Sequence, residues 1–140
     1  MTELLELRGV VEAAPDAVAD VLLDVRPGGR SPLVTAGTVD SADGDEYVVT
    51  LNGSRLTVTV DRAARSVTMQ GEWWYRGVTS VEPDPRGAQV VHRIFNVAEG
   101  NRWAVRFVSR GPVNAAPGTF LAHLEQLGRT LNCAAWVIED

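Results

Sequence analysis

Three stretches in which apolar and polar residues alternate on either side of a turn signal constrain this chain more than any other feature. Tyr47, Val49 and Leu51 alternate up to Asn52-Gly53, and Leu56, Val58 and Val60 alternate beyond it. Asn-Gly suits a tight turn with positive φ at both central positions, so it closes a two-residue hairpin with Val49 opposite Leu56 and Tyr47 opposite Val58. A second turn at Asp61 to Ala64 sets Val58 beside Val67 and Leu56 beside Met69. A third corner, Pro83-Asp84-Pro85-Arg86-Gly87, sets Val81 by Val90, Thr79 by His92, Gly77 by Ile94 and Tyr75 by Asn96. Strand side chains alternate faces, so Tyr47, Val49, Leu56, Val58, Val60, Val67 and Met69 share one side while Val48, Thr50, Thr57, Thr59, Thr68 and Gln70 share the other. The result is an antiparallel meander with one apolar face that must be covered.

The cover is sought at the two ends. Residues 3–13 place Leu5, Leu7 and Val11 at a two-residue period, which predicts a strand. Pro15 then fits the first position of a helix, and Val18, Val21, Leu22 and Val25 form a stripe that ends at a Pro/Gly corner over 26–33. Towards the C-terminus, Thr119 is a plausible N-cap for a helix whose residues Phe120, Leu124, Leu127, Leu131, Ala134 and Ile138 step by four and three. The preceding segment GPVNAAPG, 111–118, reads as a breaker. Residues 101–110 fit two descriptions: Trp103, Val105 and Phe107 alternate as in a strand, while Trp103 and Phe107 also share a helical face. These elements define an α+β fold, an antiparallel sheet closed by a C-terminal helix, in a single domain over 1–140.

Charge and composition narrow the partners. With 18 acidic and 13 basic residues the net charge is -5, which offers no field for a phosphate backbone, so nucleic acid is not expected. The single cysteine, Cys133, cannot form an internal disulfide, and a buried apolar role suits it better than a nucleophilic one. The N-terminus has no signal-like run and no stretch is long enough to span a bilayer, which points to a cytoplasmic protein without a membrane span. No cofactor is expected. Phosphate-loop and nucleophile-elbow motifs are absent, and two histidines plus one cysteine do not make a metal set.

In its order of elements the chain resembles the START-like or SRPBCC superfamily, whose helix-grip fold is shared by polyketide cyclase-like proteins, START lipid-transfer domains and pollen-allergen-like binders. The stretches that carry the likeness are VVEAAPDAVADVLLDV at 10–25, YRGVTSVEPDPRGAQVVHRIFNVA at 75–98 and FLAHLEQLGRTL at 120–131. The resemblance implies a curved antiparallel sheet wrapped around a long C-terminal helix, with a cavity between them for an apolar molecule. It implies no particular activity. Two departures stand out: the loop at 26–33 replaces a second helix, and the break at 111–118 shortens the terminal one, leaving the mouth wider or collapsed.

If the apolar face carries through from Met69, the pocket is lined by Tyr47, Leu56, Val58, Met69, Trp73, Tyr75, Thr79, His92, Asn96 and Leu127. A bulge between Gly71 and Trp74 would reverse that face and bring in Glu72, Arg76 and Arg93 instead, suiting an anionic ligand. The first expectation is a binder of a hydrophobic small molecule such as a lipid or polyketide. An alternative is a cyclase or dehydratase using His92 and Tyr75 as acid and base; against it, His92 also fits a satisfied or solvent-facing residue on the last strand, and Tyr75 and Trp73 fit core aromatics. A further alternative is a non-enzymatic interaction domain, with Trp136 and Trp103 either in the core or in a homodimer contact. His123 is expected on the surface.

Overall fold

A computed structural model describes residues 1–26, 28–34, 38–51 and 53–138. Among the described residues eight strands form one antiparallel sheet: β1 (Thr2–Val11), β2 (Thr38–Asp43), β3 (Glu46–Leu51), β4 (Ser54–Asp61), β5 (Ser66–Gln70), β6 (Tyr75–Asp84), β7 (Gly87–Asn96) and β8 (Ala135–Ile138). They lie in the order β2-β3-β4-β5-β6-β7-β1-β8. Helices α1 (Pro15–Leu22), α2 (Arg102–Val108) and α3 (Arg110–Leu131) complete the fold, and α3 packs on β1, β8 and α1. This is a helix-grip architecture, with a sheet wrapped around a long C-terminal helix.

The first and third hairpins have the expected registers. Val49 pairs with Leu56 and Tyr47 with Val58; Val81 pairs with Val90, Thr79 with His92, Gly77 with Ile94 and Tyr75 with Asn96. Asn52 lies outside the described residues, while Gly53 beside it has φ +79°. The second hairpin is offset by two residues, with Val58 opposite Met69 and Val60 opposite Val67. Its connection is longer than expected: Asp61 Oδ1 accepts the Ala64 amide at 3.1 Å, and Arg65 follows with φ +50° before β5 begins. An offset of two leaves every side chain on its expected face.

That face survives the 71–74 connection. Gly71 N–H donates to the Tyr75 carbonyl at 2.9 Å, and β6 enters the sheet with Met69 opposite Gly77 and Val67 opposite Thr79. Arg93 therefore points outwards, where it pairs with Glu6 at 3.2 Å and Glu3 at 3.5 Å. The core behind the inner face is built from Val11, Val18, Leu22, Val58, Val60, Val67, Val90, Phe120, Leu124 and Leu127, all buried. Burying each such side chain contributes about 1.5–3 kcal/mol.

Of the two readings of 101–110 the helical one holds, as α2 over Arg102–Val108. Two expectations are corrected. The 111–118 segment is no break, because α3 starts at Arg110 and runs through it. Pro112 falls in the first turn, where a missing N–H costs little; only Pro117 sits inside the helix. The terminal helix also ends earlier than expected, at Leu131, so Ala134 and Ile138 do not extend its stripe. Asn132 takes the left-handed conformation at φ 53°, and the Cys133 amide reaches back to the Gly128 carbonyl at 2.9 Å, a Schellman closure. The chain then returns as β8 alongside β1, with Val10 opposite Trp136. Trp136 is half-buried there, with the Arg86 guanidinium 6.0 Å from its ring.

Candidate ligand-binding cavity

Between the inner face of the sheet and α3 lies a cavity of about 870 Å³. Its deep end is aliphatic and aromatic, made by Leu22, Val90, Ile94, Phe120, Leu124 and Leu127, all of them buried. Its mouth is bordered by exposed residues from three places: Ser54 and Arg55 at the start of β4, Glu72 and Trp73 in the 71–74 connection, and Val108, Pro112 and Ala115 around the α2–α3 junction. Trp73 ties two of these together, since its indole N–H donates to the Gly100 carbonyl at 2.9 Å just ahead of α2.

The polar groups of the wall come mainly from β6, β7 and α3. Thr79 and His92 are register partners, and Thr79 Oγ1 shares a hydrogen bond of 2.8 Å with His92 Nδ1. The imidazole is stacked on Phe120 of α3, with ring centroids 6.3 Å apart and planes inclined by 22°. Burial, reinforced by repulsion from nearby His123, lowers the His92 pKa to about 4, so the ring is neutral near pH 7. Burial likewise lowers the pKa of His123. With Nδ1 engaged by Thr79, the other nitrogen of His92 is left for a bound molecule, as donor or acceptor according to tautomer.

Tyr75 is held by a different device. Its ring meets Trp74 edge to face at 5.5 Å and folds back along β6 across Gly77, where a Cβ would collide with the phenol. Glycine at 77 therefore creates the space in which the hydroxyl lies, displaced along the strand towards Thr79. Burial raises the phenol pKa, so Tyr75 stays protonated and can donate.

Leu56, Met69, Trp73, Tyr75, Thr79, His92 and Leu127 all border the cavity. Tyr47, Val58 and Asn96 are not among its lining residues. Val58 is fully buried in the core with Tyr47 packed against it. Asn96 is also buried, and its Oδ1 accepts the Ala98 amide at 3.0 Å, closing the end of β7. His123, expected on the surface, is half-buried and lines the cavity. It lies three residues after Phe120 and four before Leu127, a spacing that already placed it on the gripping face. Glu72 reaches the mouth because it stands in the connection and not in a strand. Cys133 lies outside the cavity, half-buried, with its thiol pKa raised by burial. Among the described residues no group of three His, Cys, Asp or Glu side chains is placed to hold a metal ion, and no helix is long and apolar enough to cross a membrane.

No family model and no curated protein matches the chain. Solved structures do. Protein BH1534 of Bacillus halodurans superposes with a TM-score of 0.59 at 10% identity, over 91% of this chain and 99% of that one. A protein from Nitrosospira multiformis gives 0.57 at 14% identity, over 89% and 94%. The KanY protein gives 0.54 at 17% identity, over 91% and 93%. At such identities the likeness is one of fold.

Proposed function

We propose that this protein, read as a divergent START-like or SRPBCC member, binds a hydrophobic small molecule of lipid or polyketide type between its sheet and α3. The observation that carries the reading is the cavity itself: about 870 Å³ lies within the usual range for small-molecule sites, and apolar walls enclose a few polar groups. Un-ionised His92 and protonated Tyr75 suit a carbonyl or hydroxyl on the ligand better than a carboxylate, which would want a cation at depth. Leu56, Met69, Trp73, Thr79 and Leu127 complete the proposed contact set, while Tyr47, Val58 and Asn96 support it from behind.

The test uses the apolar fluorophore N-phenyl-1-naphthylamine. Saturable binding at one site per chain is expected, displaced by long-chain lipids or aromatic polyketides. Ala115→Trp, which adds bulk at the mouth without entering the core, should weaken binding at least about tenfold, or about 1.4 kcal/mol. Absence of saturable binding by the wild type would refute the reading.

An enzymatic reading has one observation in its favour: His92 is neutral, oriented by Thr79, and borders the same cavity as Tyr75. A neutral imidazole with a free nitrogen can take a proton in an aldol-type cyclisation or dehydration. Unchanged turnover in His92→Ala would remove it.

A further inference from the structure

The stretch from Gly100 to Leu124 carries three arginines, Arg102, Arg106 and Arg110, and no acidic residue, in a chain of net charge -5. Seven of the other ten arginines pair with a carboxylate; these three, like Arg55, Arg76 and Arg129, make no ion pair among the described residues. Arg102 and Arg106, four residues apart, share one row of α2, and Arg110 opens α3 just beyond Ser109. In the adjacent row stand Trp103 and Phe107, 70% and 53% exposed. The guanidinium groups of Arg106 and Arg110 lie 4.9 and 5.8 Å from the Phe107 ring, so cation and aromatic form one patch.

Large aromatic side chains beside guanidinium groups that make no ion pair among the described residues, of which Arg102 donates to Thr2 Oγ1 at 3.2 Å, match the boundary layer of an anionic membrane. There indole and phenyl rings sit at headgroup level and arginines engage lipid phosphates in two-point contacts. An acidic protein would offer the same charge, but a stable protein interface needs roughly 800 Å² from each partner. α2, seven residues long and with Val105 buried, presents much less.

We propose that α2 seats this protein on the surface of an anionic lipid bilayer, with Trp103 and Phe107 entering the headgroup layer and Arg102, Arg106 and Arg110 contacting phosphates. Val108, Pro112 and Ala115 at the α2–α3 junction border the cavity mouth, so the seated molecule turns that mouth towards lipid. The last consequence rests on the cavity being a ligand site; the docking does not.

Sedimentation with vesicles tests the proposal. At low ionic strength the wild type is expected to pellet with phosphatidylcholine vesicles containing phosphatidylglycerol, to stay in solution with phosphatidylcholine alone, and to be released by added salt. Its tryptophan emission should shift to the blue on binding, and Trp103→Phe should lose that shift. Each arginine near an anionic surface is worth roughly a fivefold change in partitioning, so the combined Arg102→Gln, Arg106→Gln and Arg110→Gln variant should bind on the order of a hundredfold more weakly. All these side chains are exposed, so circular dichroism and melting temperature should match the wild type. A wild type that stays in solution with phosphatidylglycerol vesicles overturns the proposal, as does a triple variant that pellets like the wild type. Retention on immobilised polyglutamate without vesicle binding also overturns it, in favour of an acidic protein partner. Fluorophore binding by the triple variant in vesicle-free solution separates the two readings: if it persists while wild-type vesicle binding fails, only the docking falls.

Discussion

Protonating His92 would place a charge in a buried site beside His123, and the pH dependence of folding should record the cost. In the unfolded chain this histidine titrates near 6.5; in the folded protein it does so at about 4. Between those values the unfolded state binds more protons, so stability is fully present above pH 6.5 and falls as the pH drops towards 4. The loss amounts to roughly 3 kcal/mol for His92 alone. Urea unfolding at pH 7 and pH 5 should show the wild type losing more than His92→Gln, and the imidazole resonances of His92 should remain unshifted through pH 6. Titration near 6.5 would mean that water reaches the ring freely. Close packing also acts at Gly9 of β1, where a Cβ would run into the Leu124 side chain and come within 3.0 Å of the Trp136 carbonyl. Gly9→Ala should cost about 1–3 kcal/mol, measurable as a lower urea midpoint. At this scale the sequence revealed the alternating wall residues, because strand period assigns a face whatever the distant contacts are. Tyr75 folding over Gly77, and the approach of His123 to His92, depend on tertiary placement that no local pattern carries.

Among the elements, α3 departs furthest from what its residues suggest singly. Pro117 has no N–H for the Val113 carbonyl, which leaves one turn open in the exposed half of the helix. Pro117→Ala should therefore raise stability by about 1–3 kcal/mol in urea unfolding. A fall instead would show that the open turn is needed to seat Ala116 and Phe120 on the sheet. Pro and Gly at 111–118 read as a breaker because propensity weighs residues one at a time, whereas burial of Ala116 below and Val105 before holds the helix through them. The opposite error occurred at the far end. Ala134 and Ile138 continue the four-and-three step by coincidence, and a single left-handed Asn132 diverts the chain into β8. Hairpins closed by short turns were legible in register; the four residues between β4 and β5 shifted theirs by two; β2, with the weakly patterned TVDSAD, gave no signal.

Taken whole, the molecule grips α3 from one side and leaves space beneath it, so its stability should respond to whatever fills that space. A molecule that binds only the folded state adds about 2.7 kcal/mol at a hundredfold excess over its dissociation constant, equivalent to several degrees in melting temperature. Differential scanning fluorimetry with displacing lipids should show that rise, and Ala115→Trp should blunt it. The position of β1 carries a separate consequence for how this shape is reached. The hairpins from β2 to β7 join neighbours in sequence, but β1 lies between β7 and β8, with Thr2 opposite Asn96 and Arg8 opposite Ile138. During synthesis β1 must wait for β7 to leave the ribosome before it can pair on one edge, and for β8 before it can pair on the other. Loop closure over such separations is slow, so the rate at which this fold forms should be governed by the docking of β1 between β7 and β8.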